Sequence, residues 1–131
     1  MISIGWTGKP VRYQRHRCKC HGGHGRAYSP PAYENAKKTA IKRIDPAVFP
    51  SEPIKGQLVC AMFFVIPTKD PKKWGKPHNV MPDLDNFMKA ALDILVSCGV
   101  LEDDRYVYGL TAVARYGQHG MTTVTIAEGQ T

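Results

Sequence analysis

Hydrophobic and polar positions change period several times along the chain, and each change marks an element. Ile2, Ile4 and Trp6 alternate with Ser3, Gly5 and Thr7, which predicts a short strand. Residues 8–30 have no period and are rich in Gly, Arg, His and Lys, so they read as a mobile basic loop or an open hairpin. Beyond Pro30-Pro31, Tyr33, Ala36, Ala40 and Ile41 form a weak helical stripe, with proline at the helix start where its missing N–H costs nothing. Leu58–Ile66 is apolar throughout, short, and rich in aromatic and β-branched residues; it predicts a central strand buried on both faces. The clearest period follows. Phe87, Ala90, Ala91, Ile94, Leu95 and Cys98 recur at helical spacing and predict a helix over residues 86–98, with Gly99 as its C-terminal cap. Residues 105–115 and 121–127 alternate as two strands, and Tyr116-Gly117-Gln118-His119-Gly120 is expected to join them as a hairpin. The order β-α-β-α-β-β describes one α+β domain with a mixed sheet over residues 1–131.

The chain has 131 residues and a formal net charge of +7, but the distribution says more than the total. Residues 1–44 carry ten basic side chains against one acidic, whereas residues 83–131 carry three against seven. A basic arm followed by an acidic centre is the asymmetry of a protein that works on nucleic acid. Met1–Trp6 has no basic leader ahead of an apolar stretch, so no secretory signal is expected. The longest apolar run falls far short of the ~20 residues a membrane helix needs. Four cysteines without a leader read as reduced thiols, and cytoplasm is the expected location.

The candidate chemistry lies in the acidic centre. Asp83 and Asp85 flank the start of the predicted helix, where the helix dipole favours negative charge. Two residues apart in extended chain, their side chains would point to one side. Asp103 and Asp104 follow the helix end, and a strand returning along the helix would bring Asp104 back toward the first pair. Carboxylates gathered in a basic protein suit Mg²⁺, which is held by one or two of them and completed by water or phosphate. Taken singly, Asp85 also reads as an N-cap and Asp103-Asp104 as a solvated turn. Lys89, four residues after Asp85, is either a surface ion pair of ~0.3–0.5 kcal/mol or a fixed positive charge for a phosphate. A calcium loop does not fit, because Phe87 and Met88 stand where a ligand and a glycine are required.

Cys18, Cys20, His21 and His24 offer four soft or borderline ligands, but zinc sites usually separate two ligand pairs by a dozen or more residues. The tight spacing disfavours zinc there. Arg12, Arg15, Arg17, Lys19, Arg26, Lys72, Lys73 and Lys76 are the candidates for phosphate contacts, with Tyr13, Tyr28 and Trp74 for stacking on exposed bases. Binding of this kind is salt-sensitive.

Pro82-Asp83-Leu84-Asp85-Asn86-Phe87, Lys89, Asp93 and Leu95, followed by Gly99-Val100, Asp103-Asp104 and Val107, resemble the signature of the RusA family of Holliday-junction resolvases. Gly8-Lys9-Pro10, the scattered arginines and Tyr28-Ser29-Pro30 resemble the family's amino-terminal region more loosely. The resemblance implies a homodimeric endonuclease that uses Mg²⁺, or Mn²⁺, to place paired symmetric nicks in a four-way DNA junction. It implies that Asp83, Asp85 and Asp104 are metal-binding carboxylates and that Lys89 is the essential lysine, with Asp103 an acidic neighbour. Two features depart from the family pattern: Met81 replaces a basic residue, and the Cys18–His24 cluster has no counterpart. A competing reading is a non-catalytic nucleic-acid-binding module whose Cys/His loop is a small zinc knuckle; it predicts that loss of Asp85 is without effect.

Overall fold

The computed structural model describes residues 1–21, 24–78 and 83–129. A four-stranded mixed sheet forms from β1 (Ile2–Thr7), β4 (Leu58–Pro67), β5 (Val107–Gly117) and β6 (Met121–Glu128), in the order β1-β6-β4-β5. Two helices, α1 (Pro31–Lys42) and α2 (Asp83–Ser97), pack on one face of it. The domain is α+β, as the alternation of periods predicts. Within residues 8–30 the chain forms β2 (Arg17–His21) and β3 (His24–Tyr28), which pair antiparallel as a separate two-stranded sheet among the described residues. The segment combines the two forms expected for it: residues 8–16 carry no helix or strand, and the paired strands follow.

β4 is central, with β5 parallel on one side and β6 antiparallel on the other. Its burial alternates. Leu58, Cys60, Met62, Phe64 and Ile66 are buried beneath the helices, while Ala61 and Phe63 are exposed. The expectation of burial on both faces is therefore corrected for the single chain. Both helices lie on one side, and among the described residues no helix covers the opposite face. Phe63 and Val113 are register partners on that face, and Met121 lies opposite Val65 beside them.

The expected hairpin between the last two strands is also corrected. β5 and β6 are not neighbours, because β4 lies between them. Gln118–Gly120 steps over the end of β4, where Pro67 is level with Gly117 and Val65 with Met121. That crossing spans two strand spacings, ~9–10 Å, which four Cα steps can cover. The most apolar strand takes an inner position, where it finds partners on both edges; β6 is the other inner strand.

α2 buries Phe87, Ala90, Ala91, Ile94 and Leu95 as its stripe predicts. Gly99 closes the helix with φ of 83°, a left-handed conformation that glycine adopts without steric cost. The β4-α2-β5 crossover joins two adjacent parallel strands and presents the exposed face of α2 to the acidic turn that precedes β5.

Candidate active site

α2 begins at Asp83, so Asp83 and Asp85 both occupy its first turn. Two residues along a helix turn through about 200°, and the side chains leave in nearly opposite directions. Asp83 is buried, and its Oδ2 accepts the Arg12 guanidinium at 3.0 Å, with His78 Nε2 at 3.9 Å. Asp85 is exposed and pairs with Lys89 Nζ at 3.3 Å across one helical turn. Extended chain would have aligned the two carboxylates; the helix starting early separates them.

Asp103 and Asp104 follow the capping glycine. Asp103 caps a short 3-10 turn, Asp104–Tyr106, by accepting the Arg105 backbone N–H at 2.9 Å. Asp104 stands in that turn ahead of β5, not within the returning strand. It meets α2 at mid-helix, where Lys89, Leu92 and Asp93 line a hollow of about 320 Å³ with Tyr13, His16 and Asp104. Lys89 is thus the common neighbour: paired with Asp85 and facing the same hollow as Asp104. Asp83 lies apart from it, and among the described residues no group of three His, Cys, Asp or Glu side chains is placed to hold a metal ion. Asp85 and Asp104 are nonetheless exposed all-oxygen donors of the kind Mg²⁺ or Mn²⁺ accepts, and such an ion requires only one or two protein carboxylates.

The basic arm is anchored beside this site. The Tyr13 N–H donates to the Asn86 carbonyl at 3.0 Å, which fixes the chain across the first turn of α2. Arg12 thereby reaches Asp83 and lies over the Phe87 ring at 5.8 Å. Arg15 is exposed, as are Lys72, Lys73 and Lys76 in and after the 3-10 turn Pro71–Lys73. The side chains of Arg17, Lys19 and Arg26, and those of Cys18, Cys20, His21 and His24, lie outside the described residues. Tyr13 is half-buried, edge-on to Tyr33 at 5.4 Å, and so is less open to a base than Tyr28 or Trp74.

Sequence reasoning assigned no site role to three contributors, of which Asp93 alone was part of the family-like signature. His78 and His16 carry no pattern of their own, and only the fold brings them to Asp83 and to the hollow. Asp93 did leave a signal, since Asp85, Lys89 and Asp93 are spaced by four and form one ladder on α2. Its carboxylate Oδ2 accepts the Tyr33 hydroxyl at 2.7 Å and the Lys37 ammonium at 3.0 Å, both from α1.

This cluster sets an alkaline limit on stability. Burial first, then the hydrogen bond and charge of Asp93, push the Tyr33 pKa well above the ordinary phenol value. Burial alone would lower Lys37, but Asp93 and Glu34 outweigh it and raise it. Unfolded Tyr33 loses its proton near pH ~10 while the folded form keeps it, so this stability is intact below that pH and falls as pH rises beyond. Thermal unfolding between pH 8 and 11 should show a melting temperature that drops above pH ~10, more steeply in the wild type than in Tyr33→Phe. Equal slopes would clear Tyr33 of the effect.

The profile of the RusA family, described as endodeoxyribonuclease RusA, matches residues 7–127. No curated protein matches the sequence.

Proposed function

The chain belongs to the RusA endodeoxyribonuclease family, and from that premise we propose that it resolves four-way DNA junctions by metal-dependent phosphodiester hydrolysis, as a homodimer. The observation that supports this most directly is the hollow where Lys89, paired with Asp85, faces Asp104. A phosphate entering it would meet the Lys89 ammonium and the carboxylates of Asp93 and Asp104, with Asp85 paired to Lys89 beside it and Arg12 and Arg15 on the chain segment alongside. Asp85 and Asp104 would hold Mg²⁺ or Mn²⁺; the family resemblance adds Asp83, which in this structure faces Arg12 and His78 instead. The ion supplies a Lewis acid for the phosphoryl oxygen and a bound water of lowered pKa. Lys89 would stabilise charge gathering on the phosphate as a positive charge held beside it. Arg12, Arg15, Lys72, Lys73 and Lys76 would grip the backbone of the junction arms, with Arg17, Lys19 and Arg26 as further candidates.

Symmetric incision of a two-fold junction calls for two sites related by two-fold symmetry. The uncovered sheet face supports a second copy. Ala61, Phe63, Val65, Val113 and Met121, set among Thr111, Thr123 and Thr125 and bordered by exposed Arg115, form an apolar patch that would pack against a second copy.

The test is cleavage of an end-labelled synthetic four-way junction beside a linear duplex of the same sequence, with Mg²⁺ and with EDTA. Paired nicks at symmetry-related positions, on the junction alone and lost in EDTA, are expected. Tight junction binding with no cut in Mg²⁺ or Mn²⁺ would replace the nuclease reading with a binding module. Unpaired nicks from a protein that sediments as a monomer would remove the homodimer.

A further inference from the structure

Lys37 is a charged side chain that the proposed chemistry leaves unused, and it is only 8% exposed. Its ammonium lies 3.0 Å from Asp93 and 3.2 Å from Glu34, and 5.0 Å from the centre of the Tyr33 ring. Tyr33, itself 2% exposed, adds the 2.7 Å bond to the same Asp93 oxygen. Two donors from α1 thus converge on a carboxylate that lines the hollow one helical turn beyond Lys89. On a helix, Lys89 has carboxylates on both sides, at Asp85 and at Asp93. It pairs with Asp85. The Tyr13 ring, edge-on to Tyr33, lies 6.0 Å from the Lys89 ammonium.

We infer that Tyr33, Lys37 and Asp93 form a positioning cluster for Lys89. By occupying the Asp93 carboxylate, α1 removes the competing partner and leaves the Lys89 ammonium directed toward Asp85 and the incoming phosphate. Tyr33 acts twice, binding Asp93 and backing the Tyr13 ring beside Lys89. Tyr33 and Lys37 act through Asp93 on Lys89, and Asp93 itself lines the hollow beside Lys89. The inference rests on the nuclease reading for its effect on rate, but not for its effect on Lys89 itself.

The experiment compares wild type, Lys37→Met, Tyr33→Phe and the double variant Lys37→Met/Asp93→Asn, each checked for folding below its melting temperature. Single-turnover cleavage of pre-bound junction and the ¹⁵N–¹H signal of the Lys89 ammonium without DNA are both read. Lys37→Met frees Asp93 to draw Lys89 away, so its rate should fall about 10-fold at unchanged junction affinity, with a shifted Lys89 signal. Tyr33→Phe, which keeps the packing, should move both readouts less in the same direction. The double variant has no competing charge and should recover most of the rate and the wild-type signal. An unmoved Lys89 signal in folded Lys37→Met, or a double variant no better than the single, overturns the inference. If wild-type protein cuts nothing, the nuclease reading fails while the Lys89 signal still decides the positioning.

Discussion

Asp85→Asn and Asp104→Asn are each expected to lower the single-turnover rate on a four-way junction by about 10²-fold or more, with junction affinity within a few-fold of wild type. The amide is nearly the shape of the carboxylate, so neither change disturbs packing, and both side chains are exposed. What the amide loses is the charge that a hard cation needs. Losing negative charge beside a polyanion does not weaken its binding and tends to strengthen it. Rate and affinity therefore separate, which a grip residue would not produce. Asp83→Asn is a different experiment. Its carboxylate is buried against Arg12, so the change also frees an arginine and removes part of a local ion pair. Asp83→Asn should cost stability as well as rate, unlike the other two. Gel-shift affinity and single-turnover kinetics on the same preparations decide the matter. An Asp85→Asn protein cutting at the wild-type rate would sink the assignment, and equal losses of rate and affinity would move Asp85 into the binding surface.

What could be read in the chain and what could not divides along a physical line. Periodicity is local, so α2 and its capping Gly99 were legible, as were the strand limits of β1. Pairing between strands is not local. β5 and β6 alternate correctly and are joined by a turn-forming run, yet Leu58–Ile66 separates them because a long apolar strand competes for both edges. The same competition explains why β4 takes an inner place in the sheet. At the site, the residue types were legible and their directions were not. One turn of earlier helix start sends Asp83 to Arg12 and Asp85 to Lys89. The 3-10 turn before β5 brings Asp104 to mid-helix instead of to the helix start. Helix boundaries depend on capping and on contacts with distant chain, here Tyr13 bonded to Asn86, which no window of the sequence contains.

Phe87→Ala should be the most damaging change to the fold, at ~3–5 kcal/mol. The ring is 1% exposed and packs 5.4 Å from Phe64 of β4, the contact that seats the first turns of α2 on the sheet. Against a total stability of ~5–15 kcal/mol for a domain this size, that loss leaves little margin. The melting temperature should fall by roughly 10–20 °C, whereas Phe87→Leu, which fills more of the space, should cost under ~1.5 kcal/mol. The damage reaches the site as well. Arg12 lies over this ring and His78 packs on it 6.0 Å away, and both flank Asp83. Phe87 also lies between Asp85 and Lys89 in sequence, so a helix that shifts into the cavity carries the ion pair with it. Cleavage by Phe87→Ala, measured well below its own melting temperature, should therefore remain below that of Phe87→Leu by more than the unfolded fraction explains. Chemical denaturation that gives a loss under ~1 kcal/mol would show that the α2–sheet contact does not hold the acidic turn in place.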